Sequence, residues 1–156
     1  ALTFSTDGNL YAGDYMGAFC RIDTGQTPPD VINVGTLGNN LALAGDMVAV
    51  SDGTLYGTAY DLTNAATNSN NILVTINPTT GVATPIGSTG FPNLYGVAFE
   101  EGRVFGFTHD GSGQVVTLDP STGAGTLYGT FTDPGSGTAI AFAGAAVNPN
   151  VPPVVE

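Results

Sequence analysis

A short phrase is written three times in this chain and constrains its fold more than any other feature. Gly8-Asn9-Leu10-Tyr11-Ala12-Gly13 returns as Gly53-Thr54-Leu55-Tyr56-Gly57-Thr58 and as Gly102-Arg103-Val104-Phe105-Gly106-Phe107. A second phrase follows each copy: Cys20-Arg21-Ile22-Asp23-Thr24-Gly25, then Val74-Thr75-Ile76-Asn77-Pro78-Thr79-Thr80-Gly81, then Val116-Thr117-Leu118-Asp119-Pro120-Ser121-Thr122-Gly123. The first phrase recurs after 45 and then 49 residues. A period of that size marks stacked supersecondary units, each burying its apolar face against its neighbours.

The third copy shows how one unit becomes a sheet. Tyr95-Gly96-Val97-Ala98-Phe99 alternates, Glu100-Glu101-Gly102 turns, and Arg103 to Thr108 alternates again. His109-Asp110-Gly111-Ser112-Gly113 is a second turn, rich in residues that tolerate positive φ or cap their own backbone. Gln114 to Leu118 is a third strand, Asp119-Pro120-Ser121-Thr122-Gly123 a type I turn with a bulge, and Thr126 to Phe131 a fourth strand. Four short antiparallel strands in one repeat describe a propeller blade. The other copies keep this order with longer loops, notably Asp61 to Asn71, which reads as exposed and mobile. Strands are expected near 2–5, 9–13, 18–23, 31–35, 47–51, 54–60, 72–77, 83–86, 95–99, 103–108, 114–118, 126–131 and 138–143. No helical period is convincing; Leu41-Ala42-Leu43-Ala44 is the one candidate and is too short.

These phrases resemble those of secreted bacterial β-propeller repeat proteins, whose blades pair a Gly-x-Leu-Tyr-Gly strand with an Ile-Asp-Pro-x-Thr-Gly hairpin. The resemblance covers residues 1–147 and implies an all-β, propeller-like fold. Copy one departs from it, because Asp23-Thr24-Gly25 lacks the proline. No catalytic residue belongs to the shared motif. Repeats fall near 1–39, 40–92 and 93–137, and a surplus strand over 138–147 matches the start of a blade: compare Ile140-Ala141-Phe142 with Val97-Ala98-Phe99 and Leu2-Thr3-Phe4. Three and a quarter repeats make either part of a longer protein or a ring completed by partner chains, so a homo-oligomer is expected; a β-trefoil is the structural alternative. The Pro-rich tail, 148–156, reads as an extended linker.

Composition narrows the setting. Gly (23) and Thr (21) suit turns and strands respectively. Two arginines, no lysine and thirteen acids leave a net charge of −11. With no basic patch to displace counterions, nucleic acid is excluded as a partner, and no apolar run reaches the roughly 20 residues of a membrane helix. Cys20 stands alone, so it pairs with no second cysteine of this chain; its flanks read as a buried strand, with an intermolecular bridge as the alternative. The lysine-free, Gly- and Thr-rich composition gives the impression of a secreted or cell-surface protein.

Candidate chemistry is sparse. His109 is the only histidine and precedes Asp110, but adjacent side chains in a short turn rarely converge on one substrate atom, and no G-x-S-x-G elbow is present. One histidine and one cysteine do not build a zinc site. Calcium is the better metal candidate: Asp14, Asp61 and Asp110 each open the turn after the second strand of their repeat, and hard oxygen ligands suit that ion; Asx-turn capping is the competing account. Tyr15 and Tyr60 flank these aspartates at the loop mouth, where aromatics beside Asp and Asn offer contacts to a carbohydrate or protein ligand. Tyr11, Tyr56 and Phe105 hold matched strand positions and read as core between blades. The functional expectation is therefore a non-catalytic extracellular recognition or adhesion module, not an enzyme. The alternatives are a self-assembling structural subunit and a propeller hydrolase or lactonase.

Overall fold

The computed structural model describes residues 1–63 and 70–146; the middle of the Asp61–Asn71 loop and the tail from 147 lie outside the described residues. Among the described residues twelve strands follow one another without a helix: β1 (Leu2–Phe4), β2 (Leu10–Gly13), β3 (Ala18–Asp23), β4 (Asp30–Thr36), β5 (Leu41–Ala49), β6 (Leu55–Asp61), β7 (Ile72–Ile76), β8 (Ala83–Ser88), β9 (Leu94–Glu100), β10 (Arg103–Thr108), β11 (Gln114–Leu118) and β12 (Gly125–Thr130). They form three separate four-stranded antiparallel meanders, β1-β2-β3-β4, β5-β6-β7-β8 and β9-β10-β11-β12. The chain is all-β and propeller-like, and the trefoil alternative falls because each repeat keeps its four strands in its own sheet.

The repeated phrases are the turns and the two middle strands of these sheets. Gly8, Gly53 and Gly102 each take positive φ (81°, 88° and 74°) at the turn into the second strand, where a side chain would be strained. Asp7 and Asp52 cap that turn in the first two sheets, accepting from Asn9 N–H at 2.9 Å and Thr54 N–H at 2.8 Å. The second phrase closes the third-to-fourth hairpin, where Asp23, Asn77 and Asp119 accept from Gly25, Thr79 and Ser121 N–H groups.

Period-two alternation then gives each sheet two faces: a leading face towards the next sheet and a trailing face towards the previous one. Between the first and second sheets, Tyr11 and Phe19 stack at 5.4 Å and pack with Leu37 against Leu43, Leu55 and Ile76. Between the second and third sheets, Val48, Val50, Tyr56 and Leu73 meet Val97, Phe99, Val104 and Leu118. The matched trio therefore meets two fates: Tyr11 is buried, whereas Tyr56 and Phe105 are each partly buried. The first strands are innermost, with β5 touching both β1 and β9.

Two expectations need correction. Leu41-Ala42-Leu43-Ala44 is neither helix nor loop but the start of β5, which runs nine residues and breaks register between Leu43 and Met47. The break lets Gly45 lie against Tyr95, whose carbonyl oxygen would stand 2.0 Å from an added Cβ. The segment expected as a strand over 138–143 makes only a single bridge, Thr132 to Ala139. Its path nevertheless copies the entry into β5. Leu37 N–H donates to Gly17 O and Leu43 N–H to Asp14 O; likewise Phe131 N–H donates to Gly113 O at 2.7 Å and Phe142 N–H to Thr108 O at 2.9 Å. Ile140-Ala141-Phe142-Ala143-Gly144 thus stands where Leu41-Ala42-Leu43-Ala44-Gly45 does, two blades further on. The match to Val97-Ala98-Phe99 and Leu2-Thr3-Phe4 was out of phase with this.

Candidate functional site

The turns after β2, β6 and β10 lie at one end of the sheets and carry the residues singled out in the sequence. Each aspartate serves its own turn. Asp14 Oδ1 accepts from the N–H groups of Met16 (2.9 Å) and Ala18 (2.8 Å). Asp61 Oδ1 accepts from the N–H (2.8 Å) and hydroxyl (2.7 Å) of Thr63. Asp110 Oδ1 accepts from Ser112 N–H at 2.9 Å; the Ser112 hydroxyl above all holds the Asp110 carboxyl below the usual carboxylate range, with burial opposing it and the Ser112 N–H adding to it. Among the described residues no three of His, Cys, Asp and Glu gather closely enough to hold a metal ion. The regular spacing of Asp14, Asp61 and Asp110 reflects one turn built three times, because a carboxylate two residues before a free N–H closes that turn.

Tyr15 and Tyr60 do come together. The Tyr60 hydroxyl donates to Tyr15 O at 2.6 Å, across the joint between the first two sheets, while the Tyr15 ring stays exposed. Burial raises the Tyr60 phenol above its ordinary range, and Tyr95, Asp14 and Tyr15 add to the rise. Tyr95, at the start of β9, stacks its ring on His109, with centroids 4.7 Å apart and planes 9° from parallel. His109 Nδ1 lies 3.2 Å from Phe142 O. A carbonyl oxygen only accepts, so Nδ1 carries the proton and, in the neutral ring, Nε2 keeps its lone pair. The Ser112 hydroxyl is 2.8 Å from Thr108 Oγ1, and is thereby tied into the turn rather than offered to His109.

Sequence reasoning found His109, Asp110, Tyr15 and Tyr60 but missed Tyr95, read only as a strand residue, and Asp46. Asp46 sits half-buried in the β5 bulge and accepts from Ala145 N–H at 2.8 Å. Burial pushes its carboxyl above the ordinary range, partly offset by the Ala145 hydrogen bond. The available signal for both was the recurrence of Leu-Ala-Leu-Ala-Gly-Asp as Ile-Ala-Phe-Ala-Gly-Ala, which places Tyr95 and Asp46 beside successive inner strands.

No protein-family model and no characterised protein matches the chain. Solved structures do. One is a putative 6-phosphogluconolactonase from Bacteroides fragilis, with 19% identity and a TM-score of 0.47 over 82% of this chain. Another is a puromycin hydrolase, with 20% identity and the same TM-score over 81% of this chain. The chain spans 37% and 21% of those proteins. Both are named as enzymes, against the expectation of a non-catalytic recognition or adhesion module, and the likeness itself is one of fold. The geometry offers a reason that expectation misled: the Tyr60 hydroxyl and one oxygen of each of Asp14, Asp61 and Asp110 make intramolecular hydrogen bonds, so these groups are less open to a ligand than their loop positions suggest.

Proposed function

We propose that this chain is the three-sheet part of a propeller hydrolase that opens a lactone or a comparable ester, with His109 as general base. One observation carries the reading: the only histidine is exposed, stacked flat on Tyr95, and held through Nδ1 by a backbone carbonyl. That arrangement leaves Nε2 to accept a proton from water. Hydroxide then attacks the ester carbonyl, the carbon–oxygen bond to the leaving alkoxide breaks, and the imidazolium returns the proton to that alkoxide. The aromatic edge formed by Tyr15, Tyr60 and Tyr95 gives the substrate an apolar rest beside the base. Hydrolysis is measured by proton release from a panel of sugar lactones and simple esters. The expected result is turnover that falls by roughly 10²- to 10⁴-fold in His109→Asn, the usual contribution of a general base. No proton release by the wild-type chain, or full activity in His109→Asn, overturns the reading.

A further inference from the structure

The three sheets are one object at one register, so their faces correspond position by position. On the trailing face, Leu2, Phe4, Leu10, Cys20 and Ile22 of the first sheet pair across the strands as Val97, Phe99, Val104, Val116 and Leu118 do in the third. Leu2 and Phe4 are 56% and 61% exposed, whereas Val97 and Phe99 are 2% and 4% exposed beneath the second sheet. On the leading face, Phe105 and Tyr128 of the third sheet hold the places of Tyr56 and Ile86, which pack into a joint. Here they meet edge-on at 5.5 Å over an open apolar cleft of about 360 Å³. One face of each end sheet is therefore half of a joint that the molecule already makes twice.

We propose that the leading face of the third sheet takes the trailing face of the first sheet of a second copy, and that two such joints close a six-bladed ring of two chains. Propellers close with typically about four to eight blades. Two chains of three sheets fall inside that range, and a third copy would exceed it. The joint is head to tail, made of two different surfaces, and closes only because the ring returns on itself. The segment after β12 fits the same joint. Ile140–Ala145 repeats the first part of an inner strand, Leu41–Asp46, while β1 pairs in the register of its later part, Met47–Ala49. Docking sets these two pieces into one inner strand, the first from one copy and the second from its neighbour. The matching surface is thus specified by the repeat itself and does not depend on the reaction at His109.

The test is the mass in solution of the 156-residue chain over a range of concentrations. The expected mass rises from 15.7 kDa to twice that value and no further. Since each chain carries −11, added salt should favour the heavier form by screening like charge. Phe4→Glu and Tyr128→Glu, both at exposed rings on opposite faces, should each shift assembly to at least tenfold higher concentration while keeping the β spectrum of the wild type. A mixture of the two should associate more readily than either alone, because one sound joint forms between them. Should either glutamate variant lose that spectrum, Leu2→Gln on the trailing face and Phe131→Gln, which lines the cleft with Phe105 and Tyr128, replace the pair. A monomer at all concentrations, as expected if a further segment of a longer chain covers these faces, overturns the proposal. So does growth beyond two copies, or loss of assembly in Phe4→Glu with none in Tyr128→Glu, which would indicate like faces meeting.

Discussion

Leu55 and Leu10 occupy the same place in the same phrase and live in different surroundings. Leu55 is fully buried, packed between the first and second sheets, while Leu10 pairs with Phe4 and Ile22 on a face that no sheet among the described residues covers. Their sequence contexts, Asn-Leu-Tyr and Thr-Leu-Tyr, hardly differ. The pattern decides which side of a strand a residue takes; the neighbouring sheet decides whether that side is buried. A repeat protein divides these two decisions more cleanly than most folds, because each unit meets only the units next to it.

The sharpest way to break this comparison is to truncate both leucines. Leu55→Ala should cost about 2–5 kcal/mol, the range for a large-to-small change that leaves a cavity in a close-packed core. At high dilution Leu10→Ala should cost less than about 1 kcal/mol, since little apolar area returns to water. Urea unfolding of both variants measures the difference, and equal losses would mean that the first sheet's trailing face is already covered within one chain.

A second comparison lies between the joints. Gly17 and Gly113 precede the third strands of the first and last sheets, and Asn71 holds that place in the central one. The Asn71 side chain accepts from Leu94 N–H at 2.7 Å, tying the second sheet to the first strand of the third. Asn71→Ala leaves that buried N–H without its partner and should cost about 1–3 kcal/mol. A smaller loss in thermal unfolding would show that another acceptor reaches Leu94.

The smallest effect concerns charge. Asp7 is held down to about 2, chiefly by the Ser5 hydroxyl and then by Asn9, so its contribution is present above the ordinary value of 3.8 and is lost as pH falls through about 2. Asp46 runs the other way, because burial raises it. Its folded form holds a proton that the unfolded form releases, and stability therefore falls as pH rises from 3.8 through its raised value. Asp46→Asn keeps an acceptor for Ala145 N–H and should melt slightly higher than the wild type at pH 7. The two melting temperatures should converge as pH drops below 3.8. A gap that persists in acid would mean that the change acts through packing.

Much of the third sheet was legible because its turns are short and each strand alternates: β10 and β11 lie at their expected bounds, and β9 and β12 begin one residue early. The start of β5 was not, since Leu41-Ala42-Leu43-Ala44 is apolar throughout and the bulge at Gly45 and Asp46 resets the phase behind it. In the site, individual residues were visible but their grouping was not. Tyr95 reaches His109 only through the register of β9 against β10, and Phe142 reaches it only through the path that follows β12. The aspartate spacing misled for the opposite reason: it was regular because the turns are local, and local geometry says nothing about convergence.

Cys20 lies on the first sheet's open face, at the place that Val74 and Val116 hold within the two inner joints, where both are fully buried. It is a free, half-buried thiol and the only sulfhydryl in the chain. Its alkylation rate is thus an inbuilt chemical gauge. Because thiol reactivity follows access to the sulfur, that rate reports the fraction of molecules in which the first sheet stands bare, with no label attached and no residue changed.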